Sequence, residues 1–464
     1  MYQDVVSLYP SIQMMKEFPI GAPIIHWYFL EERPCHPCTN KVDRFRDPVV
    51  SCNCSIGIKG YGGSETEHQL NLLDCRGTQP TAESFINDPT MFGYVCCDLI
   101  PPKNLVHPVI QIYKRIVDPV TRAIIGEKCE CNLVPADHLK LVLDTPTLKH
   151  ALGKGYILEK VYRFDKYRFS KPAWMNISME FYVDKERTSG PAPSTETSGK
   201  YVEWYNRDVP DGPPVHNERE AYVALYNHRV PGLGDLLLES MNTSEWKRNK
   251  AQRAVYKLIN NCGWGKHAEK LIRPNHSSLQ TGIDDEEIKR IFQNVSANTM
   301  DLEGCYVFDE GKRIILRTKE KNVSPNLGKV YLAAGAMVPA YARLKLLEGL
   351  EICGDRVAMC DTDSIVYKTS LDPRENIPAD DVIGGWSVED ISTEGITGFV
   401  GYGPKSYSIK TTKEINVQQG DGTIKKEFMT LTKLKGIQQT NELGGIDFET
   451  LKTVVEDYLN GGNL

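Results

Sequence analysis

Cys360-Asp361-Thr362-Asp363-Ser364 lies between two apolar, β-favouring runs, Val357-Ala358-Met359 and Ile365-Val366-Tyr367. Two such segments joined by a tight Asp/Thr/Asp corner read as a hairpin with Asp361 and Asp363 at its tip. Carboxylates held that close repel and raise one another's pKa unless a cation sits between them, and an all-oxygen site favours a hard ion of the magnesium type. Taken alone, Asp-Thr-Asp is also an ordinary turn, so the hairpin constrains the fold more than it constrains the chemistry.

Two further segments carry charge in a pattern. Asp4 ends a short strand-like run and is followed by Tyr9-Pro10-Ser11, where proline suits the first turn of a helix. Between Lys247 and Lys266, the residues Lys250, Arg253, Lys257, Asn261 and Trp264 recur at three- and four-residue steps, so a helix gathers them into one cationic stripe. Ala251, Val255, Leu258, Ile259 and Cys262 fall on the other side and are expected to form its buried face. Like charges on one stripe repel by some tenths of a kcal/mol per pair, at about the scale of exposed helix pairs, which suits an anion such as a triphosphate opposite them. The alternative is a solvated basic face. Gly263 weakens a helix by about 1 kcal/mol, so the helix is expected to end or bend there.

Composition sets the bounds. At 464 residues the chain exceeds what one hydrophobic core usually holds, so several subdomains are expected. A net charge of -6 excludes a uniformly basic nucleic-acid-binding surface and leaves that work to local patches. Met1-Tyr2-Gln3-Asp4 is no signal peptide. The apolar run Val330 to Ala342 is shorter than the roughly 20 residues of a membrane span, so an intracellular, soluble protein is expected. Thirteen cysteines suit reduced thiols better than a secreted disulfide framework. Cys35-x-x-Cys38, with His36 beside it, and Cys52-x-Cys54 admit a structural zinc site, but the second spacing is tight, Cys96-Cys97 and Cys129-x-Cys131 are equally unexplained, and no zinc site is assigned.

Asp4-x-x-Ser7-Leu8-Tyr9-Pro10-Ser11-Ile12, Lys257-x-x-x-Asn261-x-x-Trp264-Gly265 and Asp361-Thr362-Asp363-Ser364 resemble, in this order, the three polymerase motifs of family B DNA polymerases. Lys405-x-Tyr407 and Lys433-Leu434-Lys435-Gly436 look like the primer-strand and template-contact motifs of that family's protein-primed branch, which serves phages, adenoviruses and Polinton/Maverick elements. The resemblance implies an α+β fold of right-hand polymerase architecture, with a palm, helical fingers and a reduced or truncated thumb. It implies catalytic Asp4, Asp361 and Asp363, with two magnesium ions, replaceable by manganese, held by Asp4, Asp363 and the Val5 carbonyl. Ser7, Leu8, Tyr9, Lys250, Arg253, Lys257, Asn261 and Trp264 would meet the nucleotide, with Tyr9 as the aromatic gate under the sugar. Gly265, Thr362, Ser364, Lys405, Tyr407, Lys433, Lys435 and Gly436 would meet DNA. Met359 departs from the tyrosine often found before this hairpin motif, and Cys262-Gly263 departs from the pattern of the second.

The implied organisation is palm at 1–20, an inserted region at 21–200 that contacts a priming protein or DNA, fingers at 201–268, a second insertion at 269–329, palm at 330–410 and the start of a thumb at 411–464. Strands are expected at Gly93 to Leu99 and Gly155 to Phe164. Helices are expected at Asn217 to Asn227, Ile283 to Ser296, Val330 to Leu350 with a kink near Pro339, and Phe448 to Leu459. Tyr306 to Thr318 reads as a strand pair turning at Glu310-Gly311, Asp208 to Pro214 as a break, and Ser189 to Gly199 as a flexible linker. Three residues precede Asp4 and little follows Gly436, so a fragment of a longer polymerase is expected. The functional expectation is primer extension with dNTPs on primer-template DNA, with a terminal protein as a further partner and no membrane. An inactive DNA- or partner-binding remnant, or a reverse transcriptase, are the alternatives.

Overall fold

The computed structural model describes residues 1–28, 79–110, 112–117, 124–130, 140–268, 276–280, 285–297, 300–308, 313–320, 331–403, 405–418, 424–435 and 446–460. The candidate zinc cysteines 35, 38, 52 and 54, His36, Cys131, the Glu310-Gly311 turn and Gly436 lie outside these residues. The chain forms two compact units, one built from Met1–Asn261 and Met337–Leu464, the other from Cys262–Ala336. Helices are segregated from sheets whose ladders are all antiparallel, so the fold class is α+β.

At the centre of the first unit is a four-stranded sheet in the order Val357–Asp361, Ser364–Tyr367, Tyr2–Val5, Trp386–Val388. The hairpin turns over Thr362-Asp363 as its sequence dictates. Its neighbour is the strand from the far end of the chain: Tyr2 pairs with Val366 and Asp4 with Ser364, while Asp4 pairs on its other side with Ser387. A strand with partners on both sides has no solvent edge, and Tyr2, Gln3 and Val5 are all buried. Buried Gln3 is satisfied: its amide oxygen accepts from Tyr367 Oη at 2.7 Å and its nitrogen donates to the Ile377 carbonyl at 3.3 Å. The 22-residue helix Leu332–Cys353 runs on through Pro339. At Gly349 it comes so close that a Cβ would stand 2.6 Å from the Trp386 ring and 2.8 Å from Ile365, which requires glycine.

Four other sheets among the described residues belong to this unit, beginning with the short antiparallel pair Phe18–Ile20 and Phe169–Lys171. Ile24–Trp27, Ile157–Lys166, Gly93–Ile100 and Lys140–Asp144 form one, in that order. Ile112–Val117 and Ile124–Glu130 form a hairpin. Ile396–Gly403, Ser406–Gln418 and Ile424–Lys433 make a three-stranded sheet that shares a core of Tyr2, Val366, Ile391, Tyr407 and Ile409 with the central one. Phe448–Leu459 is helical with the bounds its sequence implies and starts on an Asp447 cap.

A long helix, Met175–Arg187, leads into three more, Lys200–Asp208, Glu218–Arg229 and Leu233–Thr243, and then into the cationic helix Lys250–Cys262. The chain leaves and re-enters at adjacent points, because Lys247 N–H donates to the Arg187 carbonyl at 3.2 Å and Asn249 N–H to the Thr188 carbonyl at 2.9 Å. The excursion buries Tyr182, Tyr205, Tyr222, Leu225, Tyr226, Leu233 and Leu237 with Met14 of the first helix (Leu8–Met15) and with Val382 and Ile383.

Two expectations fail in this region. Ser189 to Gly199 is not a free linker: the Ser194 and Glu196 carbonyls accept from the N–H groups of Arg219 and Glu218, which open the helix Glu218–Arg229 and have no partner inside it. The cationic helix is also turned differently from its pattern. Ala251, Val255, Leu258, Ile259 and Cys262 are exposed, and Asn260 is its one buried residue. Helix periodicity fixes which residues share a face, but only the neighbours decide which face is covered.

In the second unit, His276–Gln280, Arg313–Glu320 and Met300–Phe308 form an antiparallel sheet in that order, beside the helix Asp285–Ser296. No helix among the described residues is long and apolar enough to cross a membrane.

Candidate active site

Asp4 and Asp363, 359 positions apart in sequence, meet where the first strand passes the hairpin tip: Val5 N–H donates to the Asp363 carbonyl at 2.7 Å, one residue beyond the Asp4–Ser364 pair. Burial first, then the charge of Asp363 and that of Glu389, pushes the Asp4 carboxyl up to about 7, against the pull of Lys257. Burial likewise raises Asp363, Asp361 adds to the shift, and Lys257 and Lys405 oppose it. Lys257, on the exposed side of the cationic helix, is thus the cation that acts on both acids. Among the described residues neither Asp4 nor Asp363 has an ion-pair partner. Asp361 is placed differently: its carboxylate takes Lys405 Nζ at 3.1 Å and the Thr362 hydroxyl at 3.1 Å. Tyr9, half-buried on the first helix, is raised by its own burial and by the charge of Asp363 and is lowered by Lys405, so it lies in the field of the same cluster.

Backbone strain marks the same place. Among the described residues, three that are not glycine have positive φ: Ser7 at 52°, Thr362 at 59° and Lys405 at 59°. Each costs about 1 kcal/mol or more and persists only where its surroundings hold it. All three stand on turns that carry or face the acidic residues. Asp4, Asp363, Lys257, Tyr9, Lys405 and Asp361 thus form one cluster.

The remaining expected residues are distributed around it. Val5 and Leu8 are buried and offer backbone only, while Ser7 is half-buried. Ser364 is buried, with its hydroxyl on the Asp361 carbonyl at 3.2 Å. Arg253 points back to Ser189 Oγ at 2.9 Å, and Lys250 is exposed at the start of the helix. Tyr407 is buried with its hydroxyl 3.4 Å from that of Tyr2, under Lys433, whose Nζ is 5.7 Å from the ring centre. Lys435 is exposed, its N–H on Ser406 Oγ at 3.2 Å. Asn261 is half-buried; Trp264 and Gly265 belong to the second unit.

Three contributions are absent from the sequence reading. Glu389, just past the strand Trp386–Val388, adds a third carboxylate to the field at Asp4. Gly384 and Gly385 hold Val6 from both sides, Gly384 N–H donating to the Val6 carbonyl and Val6 N–H to the Gly385 carbonyl, each at 2.9 Å. The glycine pair before Trp386 was a readable sign of a close approach. Lys185 Nζ donates to Ser7 Oγ at 2.9 Å, and nothing in its local sequence announces that.

The fold and site together define an α+β protein with an acidic pair at the edge of an antiparallel hairpin and a cationic helix acting on it. Solved structures similar to the chain include phi29 DNA polymerase in an orthorhombic crystal form, at 15% identity and a TM-score of 0.47, with 96% of this chain covering 51% of that one. They also include its ternary complex with primer-template DNA and incoming nucleotide substrates, at 14% identity and a TM-score of 0.45, with 97% of this chain covering 52% of that one. The chain thus spans about half the length of these structures. No family model and no curated protein matches it.

Proposed function

We propose that the chain is the catalytic region of a DNA-directed DNA polymerase that extends a primer with dNTPs, with palm, fingers and thumb portions of the right-hand type. The observation that carries this reading is the convergence of Asp4 and Asp363, 359 positions apart in sequence, under the influence of Lys257. Two half-buried carboxylates raised by burial, Asp4 further by the charge of Asp363, with no ion-pair partner among the described residues, fit a hard divalent cation. Among the described residues no group of three or more His, Cys, Asp or Glu side chains is arranged as a metal site, so backbone oxygen such as the Val5 carbonyl and the substrate's phosphates would complete the ligand set. When bound, magnesium at Asp4 and Asp363 would supply Lewis-acid stabilisation of the phosphoryl oxygens and a lowered pKa for the attacking hydroxyl.

The chain's own residues do the rest. Lys257 offsets the negative charge of a triphosphate arriving at the acids. Tyr9 lies beside Asp363 where it would pack under the sugar and reject a 2'-hydroxyl. Lys405, tied to Asp361, would hold the primer strand by phosphate contact without reading sequence. Priming by a terminal protein, and service of a viral or mobile-element genome, follow from the sequence resemblance and belong to the same proposal. Primer extension by the purified protein tests it: incorporation should require a divalent cation and should vanish in Asp363→Ala. Undiminished incorporation by that variant would overturn the metal assignment.

A further inference from the structure

A serine at a helix N-cap ordinarily turns its hydroxyl onto the N–H groups of the first turn. Ser7 does not. It stands in the left-handed region, φ 52° and ψ 54°, makes no side-chain bond to the helix Leu8–Met15 that it opens, and accepts at Oγ from Lys185 Nζ at 2.9 Å. Lys185 is only 5% exposed, an unusual place for an ammonium group. It is held there by Glu186 Oε1 at 2.8 Å and lies 4.5 Å from the centre of the Tyr182 ring, at the rim of the tyrosine core. The backbone on either side of Ser7 is fixed as well, by Gly384 and Gly385 at Val6 and by Ser11 N–H on the Ser7 carbonyl at 2.9 Å. Ser7 is therefore a strained residue whose one side-chain bond among the described residues goes to a buried cation on another helix.

We propose that Lys185 is a positioning residue for the nucleotide site: by drawing the Ser7 hydroxyl away from the helix, it pins the turn in its left-handed form and leaves the first turn uncapped by that side chain. A helix start without a side-chain cap presents its N–H groups and positive dipole end to an anion. That end begins at Leu8, four residues after Asp4, where the triphosphate arrives in the proposed reaction, so this role rests on the polymerase reading. Lys185 acts on the turn and not on the phosphates.

The two readings separate in one set of experiments. With primer-template DNA and dNTP, Lys185→Met should raise the KM for dNTP about tenfold while kcat changes less, the signature of lost ground-state positioning. Glycine adopts the left-handed form without help, so in a Ser7→Gly background the same Lys185→Met change should be nearly silent. An undiminished penalty in that background would show that Lys185 acts elsewhere and would overturn the proposal. Amide hydrogen exchange, which needs no activity, should be faster at Val6 and Ser11 in Lys185→Met than in the unsubstituted protein. Should Lys185→Met not fold, Ser7→Ala removes the other end of the bond and carries the same exchange prediction. Unchanged exchange in the variant that folds would overturn the role. Absence of incorporation by the unsubstituted protein would defeat the polymerase reading and leave the exchange result to decide the role of Lys185.

Discussion

The acidic sheet and the cationic helix hold opposite charges by opposite means. In the sheet, ladder register fixes Asp4 against Ser364 and Ser387, so moving it would break pairing on both sides of a central strand, and Asp363 at the hairpin tip accepts from Val5 N–H at its carbonyl at 2.7 Å. In the helix Lys250–Cys262 no ladder fixes rotation; its ties among the described residues are single side-chain bonds such as Arg253 Nε to Ser189 Oγ and Gln13 Nε2 to the Asn260 carbonyl, each at 2.9 Å. Val255 and Leu258 face outward at 54% and 63% exposure, whereas Asn260 is 3% exposed with neither side-chain polar atom bonded among the described residues. An unsatisfied buried amide costs about 1–3 kcal/mol per group. The acids are therefore built into the framework, whereas the lysine that answers them stands on an element weakly anchored by its own apolar residues.

That contrast can be broken by substitution. The largest effect is expected at the sheet, where Asp363→Ala should lower single-nucleotide incorporation by about a thousandfold or more with melting temperature little changed. A surviving rate near that of the unsubstituted protein would place the chemistry elsewhere. Next come the buried positions: Leu225→Ala, in the tyrosine core, should cost about 2–5 kcal/mol in chemical denaturation. Lys257→Met should raise the KM for dNTP about tenfold with stability nearly unchanged, because the residue is exposed and its effect is electrostatic.

A smaller effect concerns pH. Burial and the neighbouring carboxylates hold Asp4 up at about 7 against an ordinary 3.8, so between those values the fold keeps a proton that the unfolded chain has released. The associated stability is complete below about pH 4 and is lost as pH rises through about 7. Asp4→Asn should flatten that part of the decline in melting temperature, and an identical slope in the variant would show that another group is responsible. The smallest change is expected at Leu258→Ser, within about 0.5 kcal/mol. A loss comparable to that of Leu225→Ala would mean that the outward face of the helix is covered in solution.

The hairpin, the first strand and the helix Phe448–Leu459 were legible from sequence because each is specified locally, by alternating β-formers around Asp361-Thr362-Asp363 or by a cap and a short apolar period. The meeting of Asp4 with Asp363 was legible only through the order of motifs, since no local signal joins the two ends of a chain. Residues 189–199 misled because small and polar composition says nothing about which carbonyls will answer the orphan N–H groups of Glu218 and Arg219. Glu389 and Lys185 went unseen for a related reason. Their neighbours are contributed by strands and helices far away in sequence, and one carboxylate or one lysine among 61 acidic and 55 basic residues carries no mark of its own.

Because the chain parts at Arg187-Thr188 and rejoins at Lys247 to Asn249 across two backbone hydrogen bonds, the helices Lys200–Asp208, Glu218–Arg229 and Leu233–Thr243 hang from the long helix as a cassette with coincident ends. Such a graft can grow or shrink at little entropic cost, since closing a longer loop adds only about 0.6 kcal/mol per doubling. What resists exchange is its underside, where Arg207 and Arg229 both reach the buried carboxylate of Asp380, four residues before Gly384, one of the two glycines that hold Val6. Its length is free to drift, while its footing stays tied to the strand that bears Asp4.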